Sequence, residues 1–220
     1  MTLQHSQINK HLSKSADRTE LETRLRGTGI TLIAGVDEAG RGPCAGPLVV
    51  AATILKDPYA KALAEVRDSK TLSEKKRESL FNVVIEQSLS YSIIEISSEE
   101  IDSRGLHKSN LEGMRRAVAG LSVSPEYVLT DGYEIEGLDS PHLAVWKGDQ
   151  VAISISAASI LAKVFRDRIM REMDNLYPEY GFAGHKGYIT ASHTEAIARF
   201  GVTPIHRRSF SNIQEIINRS

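Results

Sequence analysis

The chain has 220 residues, of which 41% are hydrophobic and 25% are charged, and its formal net charge is −1. This size suffices for one large domain with a buried core, and no apolar run approaches the roughly 18 residues of a membrane helix. A single cysteine excludes an intrachain disulfide and a cysteine-rich zinc site, and the polar first 14 residues lack the apolar segment of a secretory signal. We therefore expect a cytoplasmic protein without a membrane anchor.

In chain order, the sequence predicts an α/β domain with a mixed sheet. Residues 1–29 are polar and predict an N-terminal extension with one helix. Apolar, β-rich runs predict five strands, at 31–36, 48–55, 91–96, 127–130 and 142–146. Helices are expected at 72–87 with Ser73 as N-cap, and at 110–121, 151–176, 191–200 and 212–218. The glycine- and proline-rich turn at 40–47 is short, which favours antiparallel pairing of the first two strands.

Four carboxylates lie at or near the ends of predicted strands. Asp37 and Glu38 follow the first strand, Asp131 follows the fourth, and Asp149 lies between the fifth strand and the long helix. Side chains from strand ends can converge if the first, fourth and fifth strands are neighbours. Converging carboxylates repel one another, and a divalent cation such as Mg²⁺ relieves the repulsion and prefers hard oxygen ligands. Two such ions can support in-line attack at phosphorus.

Most of these carboxylates also have an ordinary structural explanation. An aspartate after a strand is commonly a turn residue or a helix N-cap, which applies to Asp131 before a glycine and to Asp149 after one. The adjacent pair Asp37 and Glu38, between an apolar strand and a glycine-rich turn, is harder to explain in this way. Spacing alone therefore leaves a metal site and a set of turn residues both open.

Several short motifs follow one another along most of the chain. The series begins with GVDEAGRGP at 35–43 and continues with DSK at 68–70, TDG at 130–132 and KGD at 147–149. It ends with AASILAKV at 157–164, HKGY at 185–188 and HRRSF at 206–210. This ordered set resembles the signature of the type 2 ribonucleases H, specifically that of bacterial ribonuclease HII.

The resemblance implies a ribonuclease H-like fold, with a five-stranded mixed sheet flanked by helices and a small C-terminal helical region from about residue 177. It implies a catalytic domain at 30–220 and leaves 1–29 as an extension. The implied activity is Mn²⁺- or Mg²⁺-dependent cleavage of RNA in RNA/DNA hybrids, and cleavage 5′ of single ribonucleotides embedded in duplex DNA. The product ends are 3′-hydroxyl and 5′-phosphate, and cells use the reaction to begin removing misincorporated ribonucleotides.

The resemblance also implies roles for individual residues. The metal-binding catalytic set comprises four carboxylates: Asp37, Glu38, Asp131 and Asp149. Ribonucleotide recognition falls to Gly40, Arg41 and Gly42, where glycines without Cβ atoms let the backbone approach a 2′-hydroxyl. Tyr188 is expected to pack on the next deoxyribose. Two further candidates contact phosphate or cap the following helix: Ser69 and Lys70.

Basic side chains on the long helix and near the C-terminus form a weaker group: Lys163, Arg166, Arg168, Arg171, Arg207 and Arg208. They could contact phosphates, or form a solvated face with partners such as Glu172 and Asp174. His185 and His206 lie within motifs, and a hydrogen-bonded structural role fits them at least as well. Cys44 stands where the family usually has an aliphatic residue, which predicts a small apolar filler.

Other functions stay open at this stage. A related nuclease could cut hybrids but not single ribonucleotides, an inactive module could only bind duplexes, and a phosphohydrolase could act on small phosphate esters. The near-neutral charge weakly disfavours a nucleic-acid binder, although carboxylates around a metal lower the charge without repelling phosphate. The sequence has no Gly-x-Ser-x-Gly elbow and no P-loop. No heptad stripe is present, and we expect a monomer.

Overall fold

Five strands form the central sheet of the computed structural model, which describes residues 17–219. They are β1 (Ile33–Ala39), β2 (Leu48–Leu55), β3 (Ser88–Ile96), β4 (Tyr127–Asp131) and β5 (His142–Val145). Their order is β3-β2-β1-β4-β5. The pairs β1–β2 and β2–β3 are antiparallel, whereas β1–β4 and β4–β5 are parallel. The predicted mixed sheet is therefore confirmed, and the first, fourth and fifth strands are neighbours.

Helices cover both faces of this sheet. They are α1 (Glu20–Arg26), α2 (Glu74–Gln87), α3 (Ser98–Arg104), α4 (Leu106–Ala119), α5 (Gly148–Val151), α6 (Ile153–Leu176), α7 (Phe182–His185), α8 (Ala191–Phe200) and α9 (Ser211–Arg219). Because side chains alternate along a strand, Val49 and Ala51 of β2 pack with α2 and α6, whereas Val50 and Ala52 pack with α3 and α4. None of the helices within residues 17–219 has the length and apolar character needed to span a bilayer.

Two boundaries differ from the sequence prediction in ways that affect the site. Strand β1 continues to Ala39, so Asp37 and Glu38 lie inside it rather than after it. The predicted helix 151–176 is broken at Ala152, which is extended at φ −125° and ψ 123°. The break has a physical reason, since the first amides of α6 bind partners outside the helix. Ile153 N donates to Arg18 O over 2.8 Å, and Ser154 N donates to a carboxylate of α1 over 3.0 Å.

Helix α1 is the helix expected in the N-terminal extension, and residues 1–16 lie outside the described part of the chain. It is packed against the sheet, because Leu21 belongs to a core cluster with Ile33, Leu129 and others. The carboxylate of Glu22 is buried and accepts hydrogen bonds from the Ser154 amide and hydroxyl. Burial raises the pKa of Glu22.

The remaining differences from the sequence prediction are small: α4 begins four residues earlier than expected, and α3 and α7 were not predicted.

Strand β1 and helix α6 approach each other closely at Gly35, where a Cβ atom would lie 2.1 Å from the Ser154 carbonyl carbon. Backbone cannot yield as a flexible side chain does, so we expect Gly35→Ala to lower the free energy of unfolding by about 3 kcal/mol, the upper end for overpacking. Urea denaturation measures this change. Gly184→Ala is the matched control, because nothing lies within 4 Å of its Cβ position. Equal unfolding midpoints for both variants would contradict the close packing.

Candidate active site

Three of the four predicted carboxylates meet at the edge of the sheet where β1 and β4 end. Asp37, Asp131 and Asp149 each offer one oxygen, and these atoms all lie within 4.8 Å of one another. Parallel pairing of Val36 with Thr130 brings the next residues, Asp37 and Asp131, side by side. Asp149 lies in α5, which follows β5, the strand that pairs with β4. Asp131 Oδ1 accepts a hydrogen bond from the Gly148 amide over 2.7 Å, which holds this turn against β4.

Glu38 lies beside this group but outside it, because successive side chains of a strand point to opposite faces. Its Oε2 atom is buried and has no hydrogen-bond partner among the residues that the structure describes. Arg41 Nη1 lies 3.8 Å from the other oxygen, Oε1. The buried side chain of Asn110 on α4 approaches the same carboxylate. Burial raises the pKa of Glu38 to about 7, while Arg41 acts in the opposite direction.

Burial and mutual repulsion make this group of carboxylates costly in the absence of a cation. Burial, followed by the charges of Glu38 and Asp131, holds the pKa of Asp37 well above its ordinary value. Burial and Asp131 raise the pKa of Asp149 to about 6. The ammonium of Lys70, 3.5 Å from Asp149 Oδ2, offsets part of the repulsion. Clustered hard oxygens with unbalanced charge fit a divalent cation, which the three aspartates and Glu38 would hold.

Two adjoining clefts, together called the groove, place the glycine-rich turn next to the carboxylates. One cleft is lined by Asp131, Asp149 and others, and an adjoining cleft by Gly40, Gly42, Tyr188 and others; they share Glu38, Arg41 and Lys70. Gly40 has φ 100°, a conformation that favours glycine. The Tyr188 ring is half exposed and packs over Gly42, because a Cβ atom there would lie 3.3 Å from Tyr188 Cε1. The Arg41 guanidinium lies 4.6 Å from the centroid of the Tyr133 ring.

The two phosphate-contact candidates occupy different environments. Ser69 is buried, and its hydroxyl bonds with that of Ser159 over 2.8 Å. Lys70 is exposed and reaches Asp149, as described above. Neither side chain caps helix α2, whose first turn is capped by Ser73, as predicted, through a bond from the Lys76 amide. Capping of α2 by Ser69 or Lys70 is therefore excluded. Of these two residues, Lys70 is the one that extends a charged group into the groove.

Four of the basic candidates, three on the long helix and one near the C-terminus, divide into two groups. Arg168 and Arg171 pair with Glu78 of α2, rather than with the expected neighbours on their own helix. Arg166 and Arg207 are fully buried and donate to backbone carbonyls. For these two residues a solvated face is wrong, because both side chains are buried, although Arg166 lines part of the cleft beside Tyr188.

Two histidines fix the backbone at Tyr188. His206 Nδ1 accepts a hydrogen bond from the Thr203 amide over 2.9 Å, so the proton of the neutral ring lies on Nε2. That atom donates to His193 Nε2 over 3.1 Å, and His193 Nδ1 donates to Tyr188 O over 2.9 Å. The structural role expected for His206 fits this geometry. Cys44 is buried in the neighbouring apolar cluster, as predicted.

Sequence reasoning missed one residue of the groove, Trp146, and one buried neighbour of Glu38, Asn110. Trp146, the only tryptophan, is 68% exposed and lines the cleft with the carboxylates. Side chains alternate along β5, where Leu143 and Val145 are buried. Trp146 therefore falls on the same open face as Ala144, and this alternation could have revealed it. Asn110 shares the buried face of α4 with Met114. A polar residue four positions before an apolar one on a buried face is the signal that could have found it.

A five-stranded mixed sheet with a carboxylate group at the ends of its parallel strands defines a metal-dependent hydrolase of the ribonuclease H-like class. The family model described as Ribonuclease HII matches residues 34–213. Ribonuclease HII of Mycobacterium ulcerans is 53% identical over 209 residues, which cover 95% of this chain and 87% of that protein. The chain belongs to the ribonuclease HII family. Its members are divalent-metal-dependent nucleases with ribonuclease H activity on RNA/DNA hybrids.

Solved structures agree with this assignment. Ribonuclease H2 from Pyrococcus horikoshii superposes with a TM-score of 0.75 at 30% identity, covering 85% of this chain and 97% of that one. Ribonuclease HII from Archaeoglobus fulgidus, solved in complex with PCNA, gives a TM-score of 0.65 at 28% identity, covering 82% and 95%. The predicted ribonuclease H-like fold is thereby confirmed.

The repulsion among the carboxylates predicts a change in stability. We expect Asp37→Asn to melt at or above the wild-type temperature in EDTA, because it removes one buried negative charge. Mn²⁺ or Mg²⁺ at a hundred times its Kd would stabilise the wild type by about 2.7 kcal/mol, or roughly 5–10 °C. The variant would gain less than half of that. Differential scanning fluorimetry measures both, with exposed Asp139→Asn as the control; equal metal-induced shifts in all three proteins would contradict the site.

Buried His206 predicts one contribution to stability that is lost in acid. Burial lowers the pKa of His206 from 6.5 to about 4. Between these values the unfolded chain binds a proton that the folded chain does not, so this contribution is complete above pH 6.5 and is lost towards pH 4. We expect His206→Asn to lose less stability than the wild type when urea midpoints at pH 7 and pH 4.5 are compared. The exposed control, His107→Asn, should lose as much stability between pH 7 and pH 4.5 as the wild type does. An equal loss in His206→Asn would refute the role assigned to His206.

Proposed function

We propose that this chain cuts duplex DNA on the 5′ side of single embedded ribonucleotides, in addition to the RNA strand of hybrids. The products are 3′-hydroxyl and 5′-phosphate ends. One observation carries the proposal: the carboxylate group and the glycine turn that approaches Tyr188 line two adjoining clefts that share Glu38, Arg41 and Lys70. A site that hydrolyses a phosphodiester thus adjoins a backbone segment able to recognise the neighbouring sugar.

Hydrolysis by two metal ions is the mechanism that this carboxylate set supports best. Asp37, Asp131 and Asp149 would hold one ion, and Glu38, displaced from them with a buried oxygen that has no hydrogen bond within residues 17–219, would contribute to the second. When bound, Mn²⁺ or Mg²⁺ ions supply Lewis acidity to the attacking water and to the leaving oxygen. The protein orients these oxygens through the β1–β4 register and the bond from the Gly148 amide. Lys70, beside Asp149, is placed to contact a phosphate oxygen.

Recognition of the ribonucleotide is assigned to the turn. Gly40, Arg41 and Gly42 would contact the 2′-hydroxyl through backbone groups, because a hydroxyl both donates and accepts hydrogen bonds. The exposed ring of Tyr188 would pack on the following deoxyribose, which lacks that hydroxyl. Ser69 would help to shape the phosphate path from the wall of the groove.

The biological setting follows from this chemistry. A cut beside a misincorporated ribonucleotide begins its removal from DNA. We therefore assign the chain to DNA repair in the cytoplasm. We also propose that it acts as a monomer. Its catalytic domain would span 30–220, with a helical region from about 177 and an N-terminal extension at 1–29.

A cleavage assay on a labelled DNA duplex with one ribonucleotide tests the proposal, with Mg²⁺, with Mn²⁺ and with EDTA. We expect a single cut 5′ of the ribonucleotide that requires metal. Asp37→Asn should reduce its rate by about 100- to 1,000-fold, the range for loss of one electrostatic contact to the transition state, while duplex binding survives. Asp139→Asn, which alters an exposed carboxylate before β5, should cut at the wild-type rate.

The alternatives give different patterns in the same assay. Cleavage of a long RNA/DNA hybrid without cleavage at a single ribonucleotide would restrict the enzyme to hybrids. Cleavage that survives Asp37→Asn would remove the carboxylate group from the mechanism. Binding without any cleavage in either metal would indicate an inactive duplex-binding protein.

A further inference from the structure

Two arginines are buried behind the glycine turn without acidic partners. Arg166 and Arg207 are 1% and 0% exposed, and within residues 17–219 neither forms an ion pair with a carboxylate. Burying an unpaired charge is costly unless its donors are satisfied. Here the donors are satisfied by main-chain carbonyls, most of them in the turn. The cost of burying these charges is therefore tied to the conformation of the turn.

The two guanidiniums hold different parts of the turn. Arg207 donates to Gly40 O over 2.6 Å and to Arg41 O over 3.1 Å, and two further bonds reach Gly46 O. Arg166 donates instead to the carbonyls of Ala45, Pro47 and Lys186. Arg166 packs against Gly40 with its side chain, but of the two guanidiniums Arg207 is the one that donates hydrogen bonds to the carbonyls of Gly40 and Arg41.

The bonds of Arg207 determine which way two peptide groups face. All described peptide bonds are trans, so the carbonyl and the N–H of one peptide point in opposite directions. With the carbonyls of Gly40 and Arg41 turned towards Arg207, the N–H groups of Arg41 and Gly42 point away from it. Within residues 17–219, these two N–H groups donate no hydrogen bond. Both residues line the groove, which leaves two adjacent donors free to bind substrate.

The buried charge also strengthens these donors. A guanidinium bound to a carbonyl oxygen polarises the peptide, which makes the N–H at its other end a better donor. Burial lowers the pKa of Arg207 to about 9 and that of Arg166 to about 10, and both remain charged at neutral pH. Their positive potential lies directly behind the point where an electron-rich sugar or phosphate oxygen would approach.

We propose that Arg207 is a positioning residue for ribonucleotide recognition, which orients the Arg41 and Gly42 amides towards the 2′-hydroxyl through their carbonyl ends. This inference rests on the proposed function of the turn. It differs from a general role in folding because it predicts loss of selectivity for the 2′-hydroxyl rather than loss of duplex binding.

The test measures selectivity in proteins that do not cut. Fluorescence anisotropy gives the affinity of Asp37→Asn for two labelled duplexes that differ only in one 2′-hydroxyl. We expect the parent to prefer the ribonucleotide duplex. Adding Arg207→Lys, which keeps the charge but cannot bridge several carbonyls, should reduce that preference at least tenfold and change affinity for the DNA duplex by less than twofold.

Arg168→Lys in the same background is the control, because it makes the same exchange on helix α6 at a guanidinium that pairs with Glu78 and lies over the Phe81 ring. It should retain the preference of the parent. Equal losses of preference in both variants, or an unchanged preference in Arg207→Lys, would overturn the positioning role. No preference in the parent, together with no cleavage at a ribonucleotide by the wild type, would overturn the proposed function and this inference with it.

A second measurement avoids any change at Arg207, which guards against a variant that does not fold. In ¹⁵N-labelled Asp37→Asn, the amide signals of Arg41 and Gly42 should shift on addition of the ribonucleotide duplex and shift much less with the DNA duplex. Equal shifts with both duplexes, or none with either, would contradict amides that face the 2′-hydroxyl.

Discussion

Like charges gathered at one edge of a sheet repel one another, and much of this architecture serves to hold them in place. Asp37 lies in β1, which is hydrogen-bonded on both sides, to β2 and to β4. Asp131 is fixed by the Gly148 amide, and the main-chain carbonyl of Asp149 accepts a bond from the Ser156 hydroxyl. The backbone and its ladders thus supply most of the restraint, and Lys70 supplies a partial counter-charge. A site held in this way keeps its affinity for cations because Lys70 and Arg41 balance only part of its negative charge.

The groove therefore combines two opposite uses of charge. Negative groups face the open side and are left unbalanced, whereas the positive guanidiniums of Arg166 and Arg207 are buried behind the turn. Each arrangement is unfavourable in isolation, and each is supported by rigid backbone. The helical region after residue 177 is part of this support, since His193 and His206 fix the main chain of Tyr188. Metal binding and sugar recognition thus depend on different parts of the chain that meet at Glu38 and Arg41.

Much of this could be predicted from the sequence, and the failures have physical causes. Strand patterns predicted the sheet because β2 and its neighbours are apolar, and neighbouring strand ends predicted the convergence of Asp37, Asp131 and Asp149. The end of β1 was misplaced because charged residues ordinarily terminate an apolar run, whereas here they continue the ladder. The break at Ala152 depends on α1, a contact between distant segments that no local pattern encodes. Arg207 could not be recognised because its partners are main-chain carbonyls, which every residue possesses.

The turn at 40–47 is joined to segments far away along the chain. Gly46 N donates to Ile205 O, and Arg207 N donates to Cys44 O, each over 2.8 Å. A ribosome that adds about 5–20 residues per second needs roughly 10–30 s to travel from the first of these segments to the second. Once residue 149 has been added, the nascent polypeptide contains all four carboxylates, but until residue 207 it lacks the guanidinium that shapes its turn. Synthesis itself therefore separates the appearance of the hydrolytic groups from the appearance of selectivity, and a product interrupted between residues 149 and 205 would have the first without the second.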